Sequence, residues 1–181
     1  MSNTMFAYKY HSPLSPLVLI SNANALTGLR FEIQKPESKG DSNNDVESNS
    51  VEWVDEPLQY PILAQTVKWL DRYFAGLAPD FMPPIELKGS KFEKAVWNRF
   101  LEIPYGSLST YGAVAARVAR DLDTKVSAQA VGNAAKHNPI VILIPCHRVI
   151  GANRALTGYA AGLEFKEKLL QLERSVPKSL F

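Results

Sequence analysis

The sequence predicts an α+β protein in two parts. Residues 1–86 read as a small antiparallel sheet with one helix, and residues 87–181 as a mainly helical domain containing a helix-turn-helix. Two observations carry this. Short apolar runs broken by Pro, Asn and Gly fill residues 5–33, the pattern of strands joined by turns. From residue 61 onward, helical periodicity with identifiable caps takes over. A third, Pro79, Pro83 and Pro84, marks a rigid non-helical connection and sets the boundary near residue 86.

In chain order, Met5 to Tyr10, Leu17 to Ile20 and Leu29 to Ile33 are the expected strands. Gln34 to Pro57 shifts to Ser, Asn, Asp, Glu and Lys and reads as a long, flexible acidic loop. Pro61 to Phe74 carries Leu63, Val67, Leu70 and Phe74 on one helical face and stops near Gly76. Ser90-Lys91-Phe92-Glu93 is a capping box. The helix it opens has Phe92, Val96 and Phe100 inward, flanked by Trp97, Leu101 and Ile103. Thr110 caps a helix from Tyr111 to about Ala119; Arg120 to Lys125 is a polar connection; Ser127 caps Ala128 to Lys136. These two helices form the helix-turn-helix. Ile140 to Ile144 reads as a buried extended segment. Leu163 to about Ser175 is a last helix with Leu169, Leu170 and Leu172 inward.

The 181 residues contain one cysteine, so no internal disulfide and no multi-cysteine metal site can form. No apolar run approaches the ~20 residues that span a bilayer, and Met1-Ser2-Asn3-Thr4 does not open a signal peptide. The expectation is a cytoplasmic chain in a reducing compartment, where a thiol stays usable. Net charge is +2, unevenly divided: residues 1–86 hold 6 basic and 11 acidic side chains, residues 87–181 hold 14 and 7. A basic half points to a polyanionic partner.

Cys146 sits in Ile144-Pro145-Cys146-His147-Arg148-Val149. A free thiol, with a pKa of about 8.5, needs a base to become a nucleophile, and His147 is its neighbour. A carboxylate is then needed to hold the imidazole tautomer; Glu164, Glu167 and Glu173 are the candidates, and spacing does not choose among them. The helix Ala128-Gln129-Ala130-Val131-Gly132-Asn133-Ala134-Ala135-Lys136 is unusually small-sided. Such a helix either packs tightly inside the protein or approaches a phosphate-lined groove closely, and its place in a basic helix-turn-helix favours the second.

Residues 87–174 resemble the catalytic domain of the methylated-DNA–protein-cysteine methyltransferases, the O6-alkylguanine-DNA alkyltransferases. The matching segments are Val96-Trp97, Ile103 to Gly106, Thr110-Tyr111, Ala130 to Gly132, Asn138-Pro139, Ile144 to Val149, Gly158-Tyr159 and Leu163 to Glu173. The first 86 residues resemble, in outline, that family's ribonuclease-H-like N-terminal domain. The resemblance implies a single-turnover, base-flipping repair protein. An alkyl group on O6 of guanine in double-stranded DNA, with O4 of thymine as a further candidate, passes irreversibly to Cys146.

It implies roles by position: Cys146 as acceptor, His147 as its base through a water, Glu173 as the group orienting His147, and Asn138 as the support of the active turn. Tyr111 would contact a phosphate, help rotate the nucleotide and donate to the base. Val149, Tyr159 and Ala160 would line the base pocket with Tyr111, while Ser127, Gln129, Ala130, Gly132 and Arg148 would meet DNA from the helix and its surroundings. Gln129 stands where the family commonly has an arginine finger, and Ala160 where some members have serine. The zinc-binding cysteines of some relatives are missing. The resemblance therefore implies no metal, no cofactor, no membrane and a monomer. Two other readings remain: a lesion-binding alkyltransferase-like protein without transfer, and a DNA-binding regulator switched by oxidation of Cys146.

Overall fold

Met5–Tyr10 (β1) buries Met5, Ala7 and Tyr10 and exposes Lys9, and the mostly apolar Leu17–Ser21 (β2) is buried throughout. β2 pairs antiparallel with β1 on one side and with Leu26–Phe31 (β3) on the other. The computed structural model describes residues 4–32 and 51–174 and divides into the units Met1–Glu86 and Leu87–Phe181. The reading of 34–57 as a loop lies outside the described residues as far as position 50. Beyond it the structure differs: Val51–Trp53 forms a fourth strand (β4), parallel to β1, giving the order β3-β2-β1-β4. Three residues with an alternating acid are too short a run to stand out from a polar stretch.

Pro61–Phe74 (α1) begins on proline at its first turn, where the missing N–H costs nothing. Its buried face is Ile62, Leu63, Thr66, Trp69, Leu70 and Tyr73; Val67 and Phe74, expected inward, are half-buried. The helix is rotated because Trp69 and Tyr73 offer more apolar area than Val67, and they stack with centroids 5.3 Å apart. The proline connection is anchored to this unit: Leu26 N donates to Pro84 O at 2.8 Å and Glu86 N to Leu26 O at 2.9 Å.

In the second unit the caps fall where expected. Lys91–Leu101 (α2) carries the complete Ser90/Glu93 capping box. Tyr111–Leu122 (α3) is capped by Thr110 and Ala128–Lys136 (α4) by Ser127. α3 runs one turn beyond the expected Ala119, through Arg120, and ends on Asp123 in the left-handed region (φ 47°). Trp97, 1% exposed, donates its indole N–H to Ala134 O at 2.9 Å and ties α2 to the end of α4. Two-residue strands Ser109–Thr110 (β5) and Val149–Ile150 (β6) pair in parallel, and Leu163–Leu172 (α5) follows. This last helix ends at Leu172, short of the expected Ser175, which itself lies outside the described residues. Leu169 and Leu170 are fully buried, worth about 1.5–3 kcal/mol each; Leu172 is half-buried, and the third inward residue is Lys166. No helix among the described residues is long and apolar enough to cross a membrane.

Candidate active site

The segment after α4 is buried as expected but is not extended. Ile144 N donates to Ile140 O at 3.0 Å, Leu143 N donates to Val141 O at 2.9 Å, and Ile142 sits at φ 71°. A β-branched residue in the left-handed region is strained, so something must enforce the turn. Asn138 does: its Oδ1 accepts from Ile140 N at 3.0 Å, while its Nδ2 donates to Ile144 O at 2.8 Å and to Cys146 Sγ at 3.1 Å. One amide side chain thus closes the turn and touches the sulfur. Cys146–Arg148 then forms a single 3₁₀ turn, all three residues buried. This turn, not an extended chain, lets adjacent Cys146 and His147 belong to one site.

His147 has 0% exposure, and its Nε2–H donates to Glu173 Oε1 at 2.7 Å. The structure therefore chooses Glu173 among the three carboxylates. Glu164 is taken by Lys168 at 2.6 Å, and Glu167 accepts from Gln171 at 2.9 Å. Burial alone would raise the Glu173 carboxyl, but His147 and Arg148 outweigh it and hold it down to about 2. An ionised carboxylate only accepts, so the His147 proton stays on Nε2 and Nδ1 keeps the basic lone pair. Burial pushes the imidazole down and the Cys146 thiol up, so both rest neutral; the Asn138 hydrogen bond and the Lys166 charge oppose the rise at the thiol.

Arg148 was expected on DNA, and here the structure corrects the sequence. Its Nε and Nη2 donate to Glu173 at 2.8 and 3.0 Å, its Nη1 donates to Ile103 O at 2.6 Å, and it is 7% exposed. A guanidinium committed to a buried carboxylate is not available to a phosphate. The loop after α2 completes this site: Gly106 N donates to Glu173 Oε2 at 3.2 Å, and Arg148 lies over the Tyr105 ring at 5.7 Å. Gly106 has φ 75°, and a Cβ there would meet Glu173 O at 3.2 Å, so glycine is needed.

Above the turn opens a cavity of about 550 Å³ with Cys146 in its lining, within the ~300–1,000 Å³ of small-molecule sites. One wall is α4, through Ala128, Gln129, Gly132 and Lys136; another is the loop from Gly151 to Ala160. Among the described residues, no carboxylate lines it. Tyr111 stands between them: its hydroxyl donates to Thr157 O at 3.3 Å, and burial followed by the nearby Cys146 pushes it up to about 12, which keeps it a donor. Among the described residues the buried Tyr159 hydroxyl has no hydrogen-bond partner.

Gly132 faces the cavity, and a Cβ there would meet only Tyr111 at an ordinary 3.9 Å. Among the described residues nothing crowds that position, so internal packing is not what holds glycine there. Ala160 and Tyr159 line the cavity as expected, but Val149 does not; it is fully buried and offers its carbonyl to Lys166. Ala130 lines a separate shallow groove with Ser90 and His137, and the Ser127 hydroxyl is used as the cap of α4.

Lys166 escaped the sequence reading. It is fully buried, and its ammonium donates to Val149 O at 2.6 Å, Thr157 O at 2.8 Å and Gly158 O at 3.3 Å. It also lies 5.6 Å from the Tyr111 ring centroid. Burial lowers it to about 8 against the attraction of Cys146. Its spacing ahead of Leu169 and Leu170, on the apolar face of α5, was the available signal.

The chain is similar to known proteins along its whole length. Residues 91–175 match the family model described as 6-O-methylguanine DNA methyltransferase, DNA binding domain, and residues 5–87 match that protein's ribonuclease-like domain. A methylated-DNA–protein-cysteine methyltransferase of Methanosarcina acetivorans is 37% identical over 94% of this chain and 99% of its own. One from Mycobacterium tuberculosis is 38% identical over 91% of this chain and 89% of its own. The crystal structure of Mycobacterium tuberculosis OGT in complex with DNA superposes with a TM-score of 0.75 at 35% identity, covering 94% of this chain and 93% of that one.

Proposed function

The chain belongs to the 6-O-methylguanine DNA methyltransferase family, and from that membership we propose how its own residues carry out alkyl transfer from DNA to Cys146. It is a DNA repair protein that removes the alkyl group of an O6-alkylguanine and keeps it. The lesioned nucleotide leaves the duplex and enters the cavity, at a cost of a few kcal/mol, with Gln129 filling the vacated stack and the small face of α4 in the groove. Cys146 Sγ then attacks the alkyl carbon. The S–C bond forms, the C–O6 bond breaks, and its electron pair stays on the guanine, to which the Tyr111 phenol donates a hydrogen bond and which water protonates, the proton the thiol gave up being returned to solvent.

The resting thiol first loses its proton to the Nδ1 side of His147, through a water. The imidazolium so formed is held by Glu173. Asn138 and the Lys166 charge stabilise the sulfur while it is anionic. A thioether is a poor leaving group, so each chain reacts once.

The observation that carries this reading is Cys146 on the cavity lining, with Asn138 on its sulfur, next in the same buried turn to His147, whose imidazole is held by the buried Glu173–Arg148 pair. Intact-protein mass spectrometry after incubation with duplex DNA carrying O6-methylguanine tests it. One methyl adduct on Cys146, absent from Cys146→Ala, is expected; an unmodified wild-type protein under reducing conditions sinks the reading.

A further inference from the structure

We infer that Arg154 is a DNA-phosphate-binding residue at the mouth of the cavity, gripping the strand beside the extruded nucleotide; this rests on the repair function just proposed. Three observations place it there. Arg154 belongs to the wall that lines the cavity through Gly151, Ala152, Thr157 and Gly158. Its segment is a closed ring: Gly151 N donates to Ala155 O at 2.8 Å and Ala155 N to Ala152 O at 3.1 Å, so the arginine sits on a fixed tip. Its guanidinium is exposed and has no hydrogen-bond or ion-pair partner among the described residues.

The backbone adds a fourth. Asn153 and Arg154 both lie in the left-handed region, at φ 56° and 59°. Asparagine tolerates that conformation; arginine does so at a cost, and glycine would remove it. Strain of this kind persists where the surroundings enforce it and the side chain is used.

The charge inventory says what the side chain is used for. Arg148, the cation nearest Cys146 in sequence, is consumed by Glu173. Arg99 and Arg117 are paired with Asp121 and Glu102, Lys168 with Glu164, and Lys166 is buried. Gln129 on the opposite wall is neutral. A polyanion meeting this cavity, which among the described residues has no carboxylate in its lining, finds Lys136 in the helix wall and, two residues from the lining Ala152, the exposed Arg154. Arginine also suits a phosphate by its forked donors.

The test compares wild type, Arg154→Gly and Arg154→Lys for duplex binding across a salt series, for transfer from duplex O6-methylguanine, for reaction with free O6-benzylguanine, and for thermal stability. Arg154→Gly is expected to weaken duplex binding several-fold at low salt and to lower the slope of log K against log salt by about 0.9, the share of one phosphate contact. It should react with the free base at the wild-type rate and melt no lower than wild type, while Arg154→Lys should keep the slope. An unchanged slope in Arg154→Gly overturns the inference while leaving the repair function standing. Equal loss on the free base also overturns it, by showing that the loop shapes the pocket. A wild-type protein that neither binds nor repairs the duplex removes the proposed function itself.

Discussion

At the floor of the cavity, Cys146, His147 and Arg148 are buried, and Asn138, Glu173 and the Ile103 carbonyl meet their polar atoms. At the rim, Ala152 to Ala155 are exposed, and Asn153, Arg154 and Gly158 all take positive φ. The floor sets a proton position and a tautomer, which tolerate no slack, so the Asn138, His147 and Arg148 donors there each have a fixed partner. In the proposed function the rim meets a duplex arriving from water, so its side chains stay solvated until they bind. Lys166 is the joint between them, holding Val149 O on the floor side and Thr157 O and Gly158 O on the rim side.

Breaking the floor should have the largest effect. Glu173→Gln leaves the Arg148 guanidinium buried and unpaired, at about 3–5 kcal/mol of stability, and frees the His147 tautomer. Transfer should slow on the order of 10²–10⁴-fold on duplex and free base alike. Adding Arg148→Met should recover stability in a denaturant melt but not transfer; recovery of both would show that Glu173 only pairs the arginine. The carboxyl, held at about 2 in the fold against about 4.5 ordinarily, gives stability that is complete above pH 4.5 and lost as pH falls toward 2. Glu173→Gln should flatten that acid limb.

The joint comes next. Lys166→Met strips the donor from three carbonyls, two of them on the rim, and removes the cation facing Cys146, so both substrates should react more slowly, by roughly tenfold or more. The ammonium is held at about 8 in the fold against 10.5 ordinarily. The unfolded chain therefore binds more protons between those values, and wild-type stability should rise with pH across that window by up to ~3 kcal/mol. Lys166→Met should not show the rise. A wild-type melt that is flat from pH 8 to 10.5 would mean that the lysine is solvated.

The floor and the rim also differ in how far the sequence disclosed them. Ser90, Thr110 and Ser127 were legible as caps because a cap is a local hydrogen bond between near neighbours. Cys146 and His147 were legible as a reactive pair by adjacency. What decides their chemistry is not local: Glu173 lies 26 residues from His147, and only the resemblance, not spacing, singled it out. Arg148 was misplaced on DNA for the same reason, since a positive charge reads as surface until its buried carboxylate is known. Ile140 to Ile144 read as extended because β-branched residues favour strands, whereas the Asn138 side chain closes them into a turn. Lys166 was overlooked because a lysine on a helix is ordinarily solvated.

Gln129 gives the smallest effect and the finest division between floor and rim. It is exposed on α4 and lines the cavity. In the proposed function its work is to hold the duplex open, a process that costs a few kcal/mol and of which one neutral side chain supplies a fraction. Gln129→Ala should thus slow duplex repair by roughly three- to tenfold and leave the reaction with free O6-benzylguanine untouched. Gln129→Arg adds a cation to the same wall, and should speed duplex repair and steepen its salt dependence by about one phosphate contact. Single-turnover rates on both substrates check this. Equal losses on the two would put Gln129 in the pocket rather than in the stack, and the boundary between floor and rim would have to be moved outward to include α4.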